Sequence, residues 1–258
     1  MIGPYQLNQF VLGDTNELIH DIPDESISLI ITSPPYNMLY STGAGVKRSV
    51  RGGAWTAPAI GDGYEVHDDN MGMPEYIKWQ HDLLRIWWRK LTPDGAIFYN
   101  HKQRVFNGEM CSPLNVPSYI GEQWIPDEVI VRQLIFWERP GGFNHIPTAY
   151  TSWDEWILLL AKPDFKLVRK GAASTVWKMK FALGNSHPAP FPNQLPANVL
   201  DSAYTGGVVL DPFMGSGTTA VECQRRGIPW LGFENSVKYI EQAKARMKSI
   251  QVYPSWLK

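Results

Sequence analysis

The sequence predicts an α/β domain whose mostly parallel sheet carries helices on both faces. Three observations predict it. Strand-like and helix-like segments alternate along the chain, most cleanly in its last third. The run Ser28-Leu29-Ile30-Ile31-Thr32 is almost continuously apolar and β-branched, as in a strand buried on both sides. A glycine-rich segment, Gly215-Ser216-Gly217, lies between a strand candidate and a helix candidate, where α/β folds make their turns.

In chain order, residues 8–12 read as a strand that ends at Gly13-Asp14, and Glu17-Leu18-Ile19 as a short helix broken by Pro23-Asp24. The strand Ser28–Thr32 delivers Ser33-Pro34-Pro35-Tyr36-Asn37 at its carboxyl end. Residues 41–73 show no period and hold seven glycines, the mark of a functional or mobile loop. From Pro74 to Leu91 the period is helical: Ile77, Leu84, Trp88 and Leu91 form one stripe, flanked by Tyr76, Leu83 and Trp87. Pro93-Asp94-Gly95 reads as a turn and Ala96–Tyr99 as a strand. Two more strands are expected, over Val129–Trp137 and Glu155–Leu160. Residues 162–180 are basic, and Pro188, Pro190, Pro192 and Pro196 make a stiff connector into a helix near 196–204. Strand Val208–Leu210, helix Ser216–Arg226, strand Trp230–Phe233 and helix Val237–Met247 complete the chain, and no internal repeat is visible.

The 258 residues suit one domain with a sizeable core, and the 44% hydrophobic content with 11 Trp exclude a disordered chain. Two cysteines, Cys111 and Cys223, argue against a disulfide framework and for a reducing cytosol. There is no charged-then-apolar leader and no membrane-length apolar run, so a cytoplasmic protein is expected. A net charge of −1 argues mildly against wholesale coating of a polyanion, but nucleic-acid binding depends on local placement of Lys and Arg. The six histidines lack metal-ligand spacing, and no metal is expected.

Two segments carry chemistry. In Asp211-Pro212-Phe213-Met214-Gly215-Ser216-Gly217-Thr218-Thr219, the glycines permit a tight turn and the next helix begins with open N–H groups, a site for an anion such as an amino-acid carboxylate. Thr218 and Thr219 add hydroxyls, and Glu234 ends the next strand, where an acid accepts hydrogen bonds from ribose hydroxyls. The three-glycine dinucleotide spacing is missing and no lysine follows as in a P-loop, so S-adenosylmethionine fits best. An ordinary strand-to-helix turn would use the same residue types. The second segment, Ser33-Pro34-Pro35-Tyr36, offers a side-chain oxygen, a rigid carbonyl and an aromatic face. Such acceptors can hold the hydrogens of an exocyclic base amine and move its nitrogen toward sp³ geometry, while the ring stacks on an extruded base. The bland alternative is a proline turn capping a strand.

Together these segments resemble the β-class of amino DNA methyltransferases, in which the catalytic motif precedes the cofactor motif. The similarity covers nearly the whole chain. Gly13-Asp14 followed by Ile22–Ile27 resembles the family's lead-in; Tyr76–Leu91 and Gly95–Tyr99 resemble its next helix and strand; His187-Pro188-Ala189-Pro190-Phe191-Pro192 resembles its remaining cofactor segment. The resemblance implies a Rossmann-like methyltransferase fold, circularly permuted so that the catalytic half comes first. It implies direct, single-step methyl transfer from S-adenosylmethionine to double-stranded DNA. It assigns catalysis to Ser33, Pro34, Pro35 and Tyr36, and cofactor binding to Asp14, Thr32, His187, Pro188, Ala189, Phe191, Asp211, Pro212, Phe213, Gly215, Ser216, Gly217, Thr218, Thr219, Glu234 and Asn235. Serine at the head of the tetrapeptide is similar to the cytosine-N4 enzymes, with adenine-N6 as the alternative. Methylation of a ring carbon needs a Pro-Cys nucleophile, and Met110 and Glu222 precede the two cysteines instead.

Lys47, Arg48 and Arg51 on the long loop, Lys102 and Arg104 after a strand end, and Lys166, Arg169 and Lys170 in the basic stretch are candidate DNA contacts, with plain solvated surface as the rival reading. Phe165 and Trp177 would face DNA with them. One methyltransferase domain over 1–258 is expected: a catalytic half 1–140, a candidate target-recognition insertion 141–186 and a cofactor half 187–258. Trp87 and Trp88 are candidate contacts to a second subunit, and a cognate restriction endonuclease is a candidate partner. RNA or a protein amide as substrate, and a DNA-binding module without turnover, are the remaining alternatives.

Overall fold

The computed structural model describes residues 1–37, 71–101, 104–106, 109–112, 124–138, 150, 153–168, 174–180, 191–248 and 250. In chain order the elements are β1 (Gln9–Leu12), α1 (Thr15–Leu18) with a 3-10 turn (Ile19–Asp21), β2 (Ile27–Thr32), α2 (Met73–Lys90) and β3 (Leu91–His101). Then come β4 (Arg104–Phe106), β5 (Glu109–Cys111), β6 (Val131–Glu138), β7 (Asp154–Ala161) and β8 (Val176–Lys178). The chain closes with α3 (Gln194–Ala203), β9 (Val208–Asp211), α4 (Thr218–Arg226), β10 (Trp230–Glu234) and α5 (Val237–Lys248). Eight strands form one sheet in the order β1-β10-β9-β2-β3-β7-β6-β8, and β4 pairs separately with β5. The five strands from β1 to β3 run parallel, β7 is antiparallel to both its neighbours, and β8 is parallel to β6.

The period of two along the buried strands sorts the core into two layers. Ile30, Ile97, Leu158, Leu210 and Phe233 share one layer with Tyr76, Leu84 and Trp87 of α2. Leu29, Ile31, Phe98, Leu159 and Val209 share the other with Val199 of α3 and Ala220 and Cys223 of α4. Helix α5 lies against β1 and β10. The chain therefore leaves the adjacent strands β2 and β9 toward opposite faces. That divergence opens a crevice at their carboxyl ends, where open α/β sheets bind ligands. Numbering the strands of this sheet alone from β9, the order reads 3-2-1-4-5-7-6-8; its first five positions are the doubly wound order, cut between its second helix and third strand. The permuted α/β expectation holds.

Differences from the sequence reading have local causes. Strand β3 begins at Leu91, so the expected turn at Pro93-Asp94-Gly95 falls inside it. Ile27 pairs with Leu91 and Leu29 with Ala96, so Thr92–Gly95 bulge opposite Ser28. Trp87 and Trp88 are buried in the chain's own core, which corrects their reading as subunit contacts. Phe165 and Trp177 pack in the second layer, not toward DNA. Strands β7 and β8 fall within the stretch 141–186 and belong to the main sheet. No described helix is long and apolar enough to cross a membrane.

Candidate active site

Strand β2 ends at Thr32 and its neighbour β9 at Asp211, so the two chemical segments, 179 residues apart, emerge side by side. A buried hydrogen bond joins them: Thr32 Oγ1 donates to Asp211 Oδ1 at 2.9 Å. The Phe213 amide donates to the same oxygen at 3.1 Å and Thr219 Oγ1 to Oδ2 at 2.7 Å. Burial outweighs these donors and pushes the Asp211 carboxyl up to about 7, with the Glu234 charge adding to the rise. The hydroxyl protons of Thr32 and Thr219 are thus spent inside the protein, as struts of the turn.

The glycine turn is strained into shape and held from three sides. Gly217 caps α4 at φ 81°, and a Cβ there would stand 2.8 Å from Ala243 Cβ, so only glycine fits. Gly215, also left-handed at φ 51°, donates its amide to Glu234 Oε2 at 2.7 Å, while Ser236 N donates to Oε1 at 2.9 Å. Glu234 thereby orients its carboxylate at the end of β10, beside the turn. Phe213 packs against Trp79 and Trp87 of α2 at 5.8 and 6.0 Å. Arg246 of α5 closes the third side: one guanidinium nitrogen donates to Ser216 O at 2.6 Å and Ser216 Oγ at 3.1 Å, the other to Asn193 Oδ1 at 3.2 Å. The guanidinium and the amino end of α4 make this edge electropositive, as a carboxylate-bearing ligand requires. Asp14 caps α1 at the end of β1, its Oδ1 accepting from Asn16 N at 2.8 Å. Exposed Asn235 follows Glu234. Phe191 is buried in the second layer next to α3.

The proline corner is a buried polar cluster. Ser33 Oγ donates to Tyr36 Oη at 2.8 Å, and Tyr36 Oη donates to Glu155 Oε2 of β7 at 3.1 Å. Asn100 at the end of β3 donates to Tyr36 Oη at 2.7 Å and Glu155 Oε2 at 3.2 Å. Tyr76 of α2 donates to the Pro35 carbonyl at 2.7 Å and lies 2.7 Å from His101 Nε2. The Tyr36 ring is 4% exposed and packs on His101 at 4.7 Å. Asn37, at φ 54°, exchanges two 2.8 Å hydrogen bonds with the backbone of Met71, which ties Met71 to this corner.

The structure thus joins Asp14, Thr32, Ser33–Tyr36, Asp211–Thr219 and Glu234 along the carboxyl edge of β1, β10, β9 and β2. Lys47, Arg48, Arg51, Lys102, Arg169, Lys170, His187, Pro188 and Ala189 lie outside the described residues; Arg104 starts β4, with its side chain likewise undescribed. Lys166 is exposed on the segment after β7. Asn100, Glu155 and Arg246 escaped the sequence reading, because nothing local marks them. Cys223 is buried, which pushes its thiol well above the ordinary range, so it is no nucleophile. No metal-ligating cluster occurs among the described residues. The turn fits an adenosyl amino acid: close backbone approach at two left-handed glycines, an electropositive edge, and an oriented acid one strand away.

Comparison with known proteins agrees. A family model described as DNA methylase, of the N6/N4 methyltransferase group, matches residues 27–245. The type II methyltransferase M.BglII of Bacillus subtilis is 26% identical over 275 residues, covering 92% of this chain and 68% of the relative. M.SmaI of Serratia marcescens is 27% identical, covering 93% and 90%. Among solved structures, the cytosine-N4-specific PvuII DNA methyltransferase superposes with a TM-score of 0.63 at 19% identity, covering 94% of this chain and 87% of the other. A protein described as a DNA modification methylase of Thermus thermophilus, complexed with S-adenosyl-L-methionine, gives 0.59 at 22% identity, covering 93% and 92%.

Proposed function

The chain belongs to the N6/N4 DNA methylase family, and from that premise we propose that it moves the methyl group of S-adenosylmethionine to the exocyclic N4 of cytosine in duplex DNA. The observation that carries the reading is the Thr32–Asp211 hydrogen bond, which holds the acceptor corner and the ligand turn on adjacent strand ends. Positioning of two reactants at one crevice supplies much of such a rate.

In this reading the Gly215–Gly217 turn, with the first turn of α4, holds the amino-acid carboxylate. Glu234 takes the ribose hydroxyls and Asp14 lies toward the adenine. Thr32 and Asp211 set the spacing between turn and corner, and His187, Pro188 and Ala189 line the methionyl end. When bound, the cofactor supplies an electrophilic sulfonium methyl. The protein's part is to hold the amine: Ser33 Oγ and the Pro34 carbonyl accept its two hydrogens, which frees the nitrogen lone pair for attack. Tyr36, backed by His101, stacks on the extruded base.

Serine rather than aspartate at position 33 supports cytosine N4, and adenine N6 is the alternative. Lys47, Arg48, Arg51, Lys102, Arg104, Lys166, Arg169 and Lys170 are proposed phosphate contacts, and the segments of 141–186 outside β7 and β8 are proposed to read the target sequence. The relatives' type II label supports a cognate endonuclease as partner. A second copy of the chain and a place at the cytoplasmic nucleoid are part of the same proposal. Mass analysis of nucleosides from DNA of a host expressing the protein tests the base choice: N4-methylcytosine is expected. N6-methyladenine would transfer the assignment to adenine, and unmodified DNA beside labelled RNA or protein would overturn it.

A further inference from the structure

We propose that Glu155 is a positioning residue for the methyl transfer: through the Tyr36 hydroxyl it fixes which way the Ser33 proton points, and it receives the proton that the amine releases. The inference rests on the proposed methyl transfer and adds to it a residue and a proton route.

A serine hydroxyl is ambiguous, since it donates one hydrogen bond and accepts two. To hold an amine N–H it must present a lone pair, so its own proton has to be committed elsewhere. Two hydroxyls in contact, such as Ser33 and Tyr36 at 2.8 Å, permit either direction. If Tyr36 donated to Ser33, the Ser33 proton would project into the crevice and oppose the amine hydrogens. It would also leave the Tyr36 oxygen facing Glu155 Oε2 with no proton between them, at 3.1 Å.

An ionised carboxylate accepts only, so it draws the Tyr36 proton to itself. Asn100 reinforces the direction, because its amide nitrogen can only donate and it spends its shortest bond, 2.7 Å, on the Tyr36 oxygen. With one proton given to Glu155 and two bonds received, from Asn100 and Ser33, the Tyr36 hydroxyl has its full complement. The Ser33 proton therefore points inward to Tyr36; Asn100 Nδ2 stands 3.4 Å from one Ser33 lone pair, and the other is left for the amine. Ser33 is the half-buried member of the cluster; Tyr36, Asn100 and Glu155 are buried.

The same chain has the direction needed for proton removal. As the amine nitrogen forms its bond to the methyl carbon, the sulfur–carbon pair stays on sulfur and the nitrogen becomes cationic. One N–H proton then passes to Ser33 Oγ, the Ser33 proton to Tyr36 Oη and the Tyr36 proton to Glu155. The methylated amine ends neutral and Glu155 ends protonated, to be reset by solvent between turnovers. Every atom and charge is accounted for without another reactant.

The test uses the full chain, DNA from a methylation-deficient host and S-adenosylmethionine labelled on the methyl. Absence of label with the wild-type protein would mean that the proposed methyl transfer itself has failed, an outcome distinct from failure of the relay. Given wild-type activity, E155Q and Y36F (which keeps the ring) are each expected to slow single-turnover transfer about 10²-fold. Cofactor Kd by calorimetry should stay within about twofold, since both side chains hydrogen-bond at the proline corner.

The double variant decides between a relay and separate packing roles. A relay already broken by Y36F loses little more when E155Q is added, so the double variant should be no slower than the slower single one. In the cofactor-free protein, the hydroxyl proton of Tyr36 should give a protected downfield NMR resonance that moves upfield in E155Q. An E155Q rate within about threefold of wild type, or losses that multiply in the double variant, would overturn the inference. Should E155Q not fold, Y36F decides alone: slowed transfer at unchanged cofactor Kd supports the relay, and undiminished transfer refutes it.

Discussion

At the scale of single residues, the site spends its polar groups on one another before any ligand arrives. Asp211 is the clearest case, a fully enclosed carboxyl with three donors aimed at it whose affinity for a proton is still raised, to about 7. The consequence for stability has a definite sign. Below the ordinary value of 3.8 both the folded and unfolded chains hold this proton; between there and about 7 the folded chain keeps it and the unfolded chain gives it up. The folded state thus binds more protons across that window, and its stability falls as pH rises through it. An Asp211→Asn variant lacks this dependence. The melting temperature of the wild type relative to D211N should therefore be higher at pH 5 than at pH 8, as calorimetry would report. A difference that is flat, or larger at pH 8, would show that the ionised form is the one the fold favours.

At the scale of elements, Arg246 shows how a helix far along the chain completes the ligand turn. Helix α5 was legible from its period, and so was its place after β10. The reach of Arg246 to Ser216 and Asn193 was not, because it spans 30 residues to one partner and 53 to the other with no shared motif. Hydrogen bonds to a charged donor in a half-buried site contribute roughly 1.5–3 kcal/mol each. Arg246→Met should therefore weaken cofactor binding by about tenfold or more and lower the melting temperature. Arg246→Lys, which keeps the charge without the planar fork, should fall between. Unchanged calorimetric affinity in R246M would mean the turn holds its shape unaided. The same reasoning separates what the sequence made readable from what it did not. Strands β2 and β9 announce themselves by nearly continuous apolar runs, and the two chemical segments lie directly at their ends. Glu155 and Asn100 sit at the ends of strands that were anticipated, yet their meeting with Tyr36 depends on β3 and β7 pairing in register, across 64 and 119 residues. The strand β8 was hidden inside a basic stretch, because three residues are too short for alternation to register.

At the scale of the whole molecule, the five parallel strands lie in the order of an unpermuted doubly wound sheet, and among them only the chain's starting point differs. This makes the cut itself testable. In the present order the β1–β10 pairing joins Gln9 to Leu231 and the β2–β9 pairing joins Ile27 to Val208, both of which close nearly the whole chain. A permutant opened between Ala203 and Val208, with a Gly/Ser linker from the end of α5 back to the start of β1, brings both pairings close in sequence. Helix α5 already lies on β1, and Ala243 and Phe10 both border Gly217, so the junction asks for no rearrangement of the ligand turn. The change does separate α3 from α4, whose contacts then become the long-range ones, including the ion pair of Arg226 with Asp201. Because loop closure is needed before strand pairing can stabilise the chain, moving these two pairings to shorter range should outweigh that cost and speed folding. The permutant should therefore refold faster than the parent in stopped-flow experiments and bind S-adenosylmethionine with a Kd within about threefold. Slower refolding would place the rate-limiting step in the packing of α3 on α4. Loss of cofactor binding with the sheet intact would show that the ligand turn needs α3 attached directly to β9.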